Sequence, residues 1–158
     1  MKSRLSNLHY FFIFLLPLIG FSSCSKDTTN INEIVPYTRI SFQTYRYYHQ
    51  DLEKIGEGIY FDSNDGFNSA AGYKNHGIYI INTGNDFIAM DATCTHDVTS
   101  DTHVVLKKDN PSIGICHDCK SEFVFLSEGA IHKGPAKYSL RNYTVIYNSE
   151  TKEIRVTN

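Results

Sequence analysis

From residue 34 onward, apolar and polar positions alternate in short runs separated by turn-forming residues. Residues 39–45 (RISFQTY) set Ile40, Phe42 and Thr44 on one face, opposite Arg39, Ser41, Gln43 and Tyr45. A period of two predicts a half-buried strand. Residues 76–83 (HGIYIINT) are β-branched and aromatic and close on Gly84-Asn85, with residues 87–90 as the partner across that turn. Residues 104–107 and 113–115 flank Asp109-Asn110-Pro111-Ser112, a strong turn signal, and residues 122–126, 143–147 and 153–157 complete the strand series. Residues 50–55 alone suit a short helical turn, and the Gly/Ser/Asn/Asp-rich residues 56–72 read mostly as surface loop. Regularly spaced short strands predict an all-β fold, a small antiparallel sandwich or barrel.

The first 33 residues stand outside this pattern. Lys2 and Arg4 precede an apolar run over residues 10–19, too short to span a bilayer as a mature helix. Residues 1–23 therefore read as a signal peptide. Phe21-Ser22-Ser23-Cys24 resembles a bacterial lipobox, which implies cleavage before Cys24 and lipid on its sulfur. Residues 24–33 are polar and read as a flexible linker from that anchor to a domain over 34–158. The expected location is the bacterial cell envelope, periplasmic or outer surface, with the membrane reached through the lipid. The competing reading is an ordinary signal peptide with an incidental cysteine. A net charge of −2 without a basic stripe argues against nucleic acid as a partner.

Lipidation of Cys24 would leave Cys94, Cys116 and Cys119, an odd number that cannot all pair within one chain. Cys94 and His96 follow one predicted strand, and Cys116 and Cys119 follow another. The chain folds back between the two pairs, so both loops can close over one site. A Cys-x-x-Cys knuckle lets two sulfurs converge on one centre, and three thiols with one histidine make a four-ligand metal set.

Cys94-Thr95-His96, followed by Cys116-His117-Asp118-Cys119-Lys120-Ser121-Glu122-Phe123, resembles the two cluster-binding loops of Rieske-type ferredoxin domains. That family carries Cys-x-His in the first loop and Cys-x-x-His in the second, often continuing Gly-Ser-x-Phe. Ser121 and Phe123 fall on the family's Ser and Phe, while Lys120 replaces its Gly. Gly129, Gly134-Pro135-Ala136, Leu140 and Tyr143-Thr144-Val145 resemble the third loop and closing strand, so the resemblance covers roughly residues 76–157. It implies a cluster-binding subdomain around residues 92–136 and one-electron transfer to an unknown redox partner protein, by a carrier rather than a complete enzyme.

The departure lies at Cys119, where the family has its second ligand histidine. Carried over residue by residue, Cys94 and Cys116 would hold one iron of a [2Fe-2S] cluster, and His96 and Cys119 the other. The added thiolate should lower the potential below the histidine-ligated range of about −150 to +300 mV. The nineteen residues between His96 and Cys116 slightly exceed the common family spacing.

Other chemistries fit the same residues. A Cys3His set also suits zinc, which needs only free thiolates and imidazole outside the cytoplasm. A metal-free state would pair two of the three thiols, and a dithiol redox motif would want Cys116 at a helix N-terminus. Ser121 could donate to a cluster sulfur and tune the potential. His117 is expected to be exposed, and His132 to approach the site if the third loop covers it. His49, His76 and His103 read as surface or sheet residues. Tyr45, Tyr47 and Tyr48 with Arg46 could form an aromatic face, although sheet packing is their commoner role.

Overall fold

The structure is a computed structural model that describes residues 31–65 and 72–158. The expected signal peptide (1–23), Cys24 and the first part of the expected linker lie outside the described residues. The end of that linker forms a single helical turn, α1 (Ile31–Ile34). Among the described residues, no helix is long and apolar enough to cross a membrane.

Among the described residues ten strands follow, all in antiparallel pairs. In chain order they are β1 (Ser41–Tyr45), β2 (Gly58–Phe61), β3 (Ile78–Asn82), β4 (Phe87–Asp91), β5 (Val104–Lys107), β6 (Asn110–Cys116), β7 (Glu122–Val124), β8 (Ala130–Lys133), β9 (Asn142–Asn148) and β10 (Glu153–Thr157). Six form one sheet in the order β1-β10-β9-β4-β3-β2, and four form a second in the order β5-β6-β7-β8. The all-β class expected from the alternating runs is the fold observed.

Period-two alternation explains how the large sheet is buried. Along β3, Ile78 and Ile80 enter one apolar cluster with Ile40, Phe42, Leu52, Phe61, Ile154 and Val156. Tyr79 and Ile81 point the other way, into a second cluster with Met90, Val104, Phe123, Phe125 and Leu140. Phe87 and Ala89 of β4 join the first cluster, while Ile88 and Met90 join the second. A strand packed on both faces reads as a continuous apolar run, as residues 78–81 do. The second cluster also takes in Cys94 and Cys116, so two thiols sit at its margin.

Several expectations shift. β2 arises where loop was read, and β8 where no strand was expected. Gly58 of β2 lies against Ile80 and Ile81, where an added Cβ would meet the Ile81 side chain at 2.3 Å. The β5–β6 reversal falls at 108–109, one residue earlier than the Asp109 to Ser112 signal, and β6 already begins at Asn110. Asn110 Oδ1 accepts the Ser112 N–H at 3.1 Å, and the register with β5 jumps from Gly114 to Asn110. Pro111, which has no N–H to donate, sits inside that irregularity. Residues 125 and 126, expected as strand end, lie instead in a 3-10 turn over Phe125–Ser127, and Gln50–Glu53 form another where a helical turn was expected. Phe125 is fully buried there, and Gly114 leaves room for it, since an added Cβ would lie 2.6 Å from its ring.

Candidate metal centre

Three loops converge beyond the second apolar cluster. The first leaves β4 at Asp91, and its base is closed by the Thr93–His103 bridge and by Val104 N–H on Ala92 O at 2.7 Å. The second runs from Cys116 to Ser121, between β6 and β7. Lys120 N–H on Cys116 O at 2.9 Å and Cys116 N–H on Ser121 O at 3.0 Å draw it into a tight knuckle. Lys120 occupies the left-handed region at φ 62° to make that turn. The third passes through Gly134-Pro135-Ala136, where Ala136 N–H donates to Ser121 Oγ at 2.9 Å. Thr95 Oγ1 ties the first loop to the third through Tyr138 O. Ser100 Oγ ties the first to the second, donating to Asp118 Oδ2 at 2.6 Å.

Within this frame the sulfurs of Cys94, Cys116 and Cys119 all lie within 4.8 Å of one another. The sulfurs of Cys94 and Cys119 lie 3.5 Å apart. Cys94 and Cys116 are buried and Cys119 is half-buried, all as free cysteines. The convergence of these three predicted ligands is therefore observed. His96 is exposed and stands outside the group, although its backbone N–H faces the Cys94 sulfur. His117 is exposed, as expected from its place in the knuckle.

Two of the thiols differ in acidity. Burial pushes Cys94 up to about 12, against the opposing pull of the His96 N–H. At Cys119 burial also raises the pKa. It is outweighed by hydrogen bonds from the Ser121 side chain and backbone and from the neighbouring thiols, so the net shift is downward. Ser121 Oγ lies 3.1 Å from Cys119 Sγ and already accepts the Ala136 N–H, so its own hydrogen can turn toward a thiolate. The donor set of three convergent sulfurs suits a thiophilic metal, either iron or zinc.

A feature at the base of the first loop escaped the sequence reading. Asp91 is fully buried, and its carboxylate accepts Tyr143 OH at 2.6 Å, Tyr73 N–H at 2.8 Å and Thr93 N–H at 2.8 Å. A charged residue ending the apolar run FIAMD is the one signal that could have pointed to it. His76, read as surface or sheet, is instead 4% exposed, with Nδ1 3.0 Å from Thr93 Oγ1. His103 is half-buried and stacks on Tyr60, while His49 meets Thr44 Oγ1 through Nε2 at 2.8 Å. His132 is exposed on β8, with Nε2 3.9 Å from Glu122 Oε2, and does not join the convergent thiols. Tyr47 and Tyr48 are exposed and pack on each other and on Tyr45 at the edge of the large sheet.

No protein-family model matches the chain, and no curated protein matches it. Among solved structures, the ferredoxin of carbazole 1,9a-dioxygenase from Nocardioides aromaticivorans aligns at 18% identity and a TM-score of 0.45, covering 77% of this chain and 98% of that one. A cyanobacterial plasma membrane Rieske protein from Synechocystis aligns at 19% identity and a TM-score of 0.43, covering 63% of this chain and 99% of its own.

Proposed function

We propose that this chain is an envelope-anchored metal–thiolate protein whose centre is a Rieske-like [2Fe-2S] cluster used for one-electron transfer. The observation that carries a metal centre is the convergence of Cys94, Cys116 and Cys119 within 4.8 Å at the ends of two bridged loops. Three buried or half-buried thiols outside the cytoplasm would otherwise oxidise or remain an odd set. The choice of iron–sulfur rests on the resemblance of the two loops, in chain order, to Cys-x-His and Cys-x-x-His. Cys94, Cys116, Cys119 and His96 would hold the cluster, which supplies the one-electron couple. His96 would have to turn inward from its exposed position to serve. Ser121 would position Cys119 and tune the potential through its hydroxyl. Attachment through lipid on Cys24, an unknown redox partner protein and a carrier's role belong to the same proposal. Its support there is the 21–24 sequence pattern and the chemistry of the loops.

Zinc is favoured by an observation of its own. Four ligands around one ion at a Zn–S distance of about 2.3 Å place sulfurs about 3.8 Å apart. The 3.5 Å between Cys94 and Cys119 is close to that spacing. The carried-over assignment puts those two cysteines on different irons, which requires them to move apart.

Metal and acid-labile sulfide analysis of protein purified without air from its native envelope separates the readings. Two irons and two sulfides per chain are expected. One zinc without sulfide would end the electron-transfer reading.

A further inference from the structure

Away from the thiols, a cleft of about 470 Å³ opens beside the start of β9, lined by Tyr37, Arg141, Asn142, Tyr143, Thr144 and Asn158. Arg141 is unbalanced there. It is only 5% exposed, and its Nη1 donates to Val35 O at 2.8 Å. Its Nε is buried without an acceptor among the described residues. None of the ion pairs among those residues includes it. The guanidinium lies 5.7 Å from the Tyr37 ring centroid and 5.8 Å from that of Tyr143, so π faces neighbour the charge, and no carboxylate among the described residues lies within 4.0 Å of it.

Asn142, Asn158 and Tyr143 of the lining are already committed. Asn142 Nδ2 donates to Glu128 O and Leu140 O. Asn158 accepts from Ile40 N–H and donates to Thr38 O. Tyr143 OH is held by Asp91, whose carboxylate has three donors of its own. A buried charge left unpaired is costly, so a partner that supplies an acceptor here binds with gain.

We propose that this cleft binds a small carboxylate on the Nε/Nη2 edge of Arg141, with Tyr37 as its movable wall. With Nη1 taken by Val35, the other edge of the guanidinium presents two parallel N–H bonds in one plane, which match the two oxygens of a carboxylate. One cation balances one negative charge. No second Lys or Arg lines the cleft to match a dianionic phosphate. Nε is out of contact with water as it stands, so the ligand reaches it when Tyr37, itself 67% exposed, turns off the guanidinium. The volume lies within the range of roughly 300–1,000 Å³ common to small-molecule sites.

The test follows the Arg141 Nε–H resonance of the ¹⁵N-labelled full-length chain, assigned by its loss in Arg141→Lys. Sodium acetate is titrated against sodium chloride at equal ionic strength, and then inorganic phosphate. A saturable shift at millimolar acetate, absent with chloride and several-fold weaker with phosphate, is expected. Tyr37→Ala removes a largely exposed ring whose face also neighbours the guanidinium, and the loss of that wall should weaken acetate binding several-fold, which keeps the test open if Arg141→Lys fails to fold. A response equal to that of chloride, or no saturation, would mean that water alone meets the buried Nε, and the proposal falls. Tighter binding of phosphate than acetate overturns the carboxylate class. Unchanged acetate affinity in Tyr37→Ala removes Tyr37 as the wall.

Discussion

The two sheets are stabilised in different ways. In the large sheet all five residues of β3 are buried, and so are four of the five in β4, against an apolar cluster on each face. In the small sheet, β8 has no buried residue and β5 has one. Its distal end is instead tied by hydrogen bonds between loops and carries the three convergent thiols. Apolar burial is non-directional and needs area, which the large sheet has. The loops that build a ligand site cannot bury much area, so they depend on polar ties and, in the reading above, on metal.

The sharpest way to break this contrast is Cys119→Ala. Thiolate sites release on the order of 10 kcal/mol or more on metal binding, and that binding is coupled to local folding. Stable metal uptake should be lost, with faster amide exchange in the three loops and unchanged protection in β3 and β4. Cys119→His should instead keep a cluster and raise its reduction potential, by up to hundreds of millivolts, because neutral imidazole replaces a thiolate. Wild-type metal content and spectrum in both variants would show that Cys119 is not a ligand.

Asp91→Ala tests the seam. Asp91 ends β4 and begins the first loop, and its removal leaves Tyr143 OH, Tyr73 N–H and Thr93 N–H without their acceptor. A loss of about 3 kcal/mol is expected from a denaturant midpoint, with both sheets loosened. A change below about 1 kcal/mol would mean that the two regions are joined elsewhere.

A smaller effect should come from pH. Burial holds His76 below its usual value, aided by Lys74 and His103 and opposed by Asp91 and Asp101. Burial lowers His49 and His103 as well. The unfolded chain then binds more protons than the folded one below about pH 6.5. Stability should be complete above that value and fall as the medium is acidified through it toward the lowered folded-state value. His76→Gln should flatten the slope measured by denaturant titration. An unchanged slope would remove His76 as its source.

The smallest effect is a gain. Lys120 holds φ 62° in the knuckle, a conformation that costs an L residue about 1–2 kcal/mol and glycine nothing. Lys120→Gly should raise stability by up to about 1 kcal/mol after the entropy that glycine adds to the unfolded chain. A lower melting temperature would show that the Lys120 Nζ contact with His117 O outweighs the strain.

How far the sequence could be read follows the same division. Strands whose alternation or apolar run reflects burial in the large sheet were legible: Ile40, Phe42 and Thr44 do share the buried face of the β1 region. The ligand loops were legible for a different reason, since cysteine spacing is a chemical signal independent of burial. What stayed hidden depends on close approach or on partners distant in sequence. β2 carries Gly58 because the Ile80 backbone runs beside it, and glycine in a Gly/Ser/Asn/Asp stretch looks like loop. β8 is short and half polar because it closes a sheet edge. His76 and Asp91 are buried through bonds to Thr93 and Tyr143, residues 17 and 52 positions away, which no local pattern encodes.

The order of the strands also governs how the protein meets other copies of itself. The two longest strands, β6 and β9 with seven residues each, are flanked on both sides. The four strands with an open side, β1, β2, β5 and β8, are five residues or fewer. β5 is also disrupted by the register shift at Leu106 and Lys107, and β8 ends in His132 and Lys133. Short, kinked or charged borders give a neighbouring chain little backbone to pair with. The ten strands of the described residues can therefore be crowded together at high concentration with little tendency to join edge to edge into fibres.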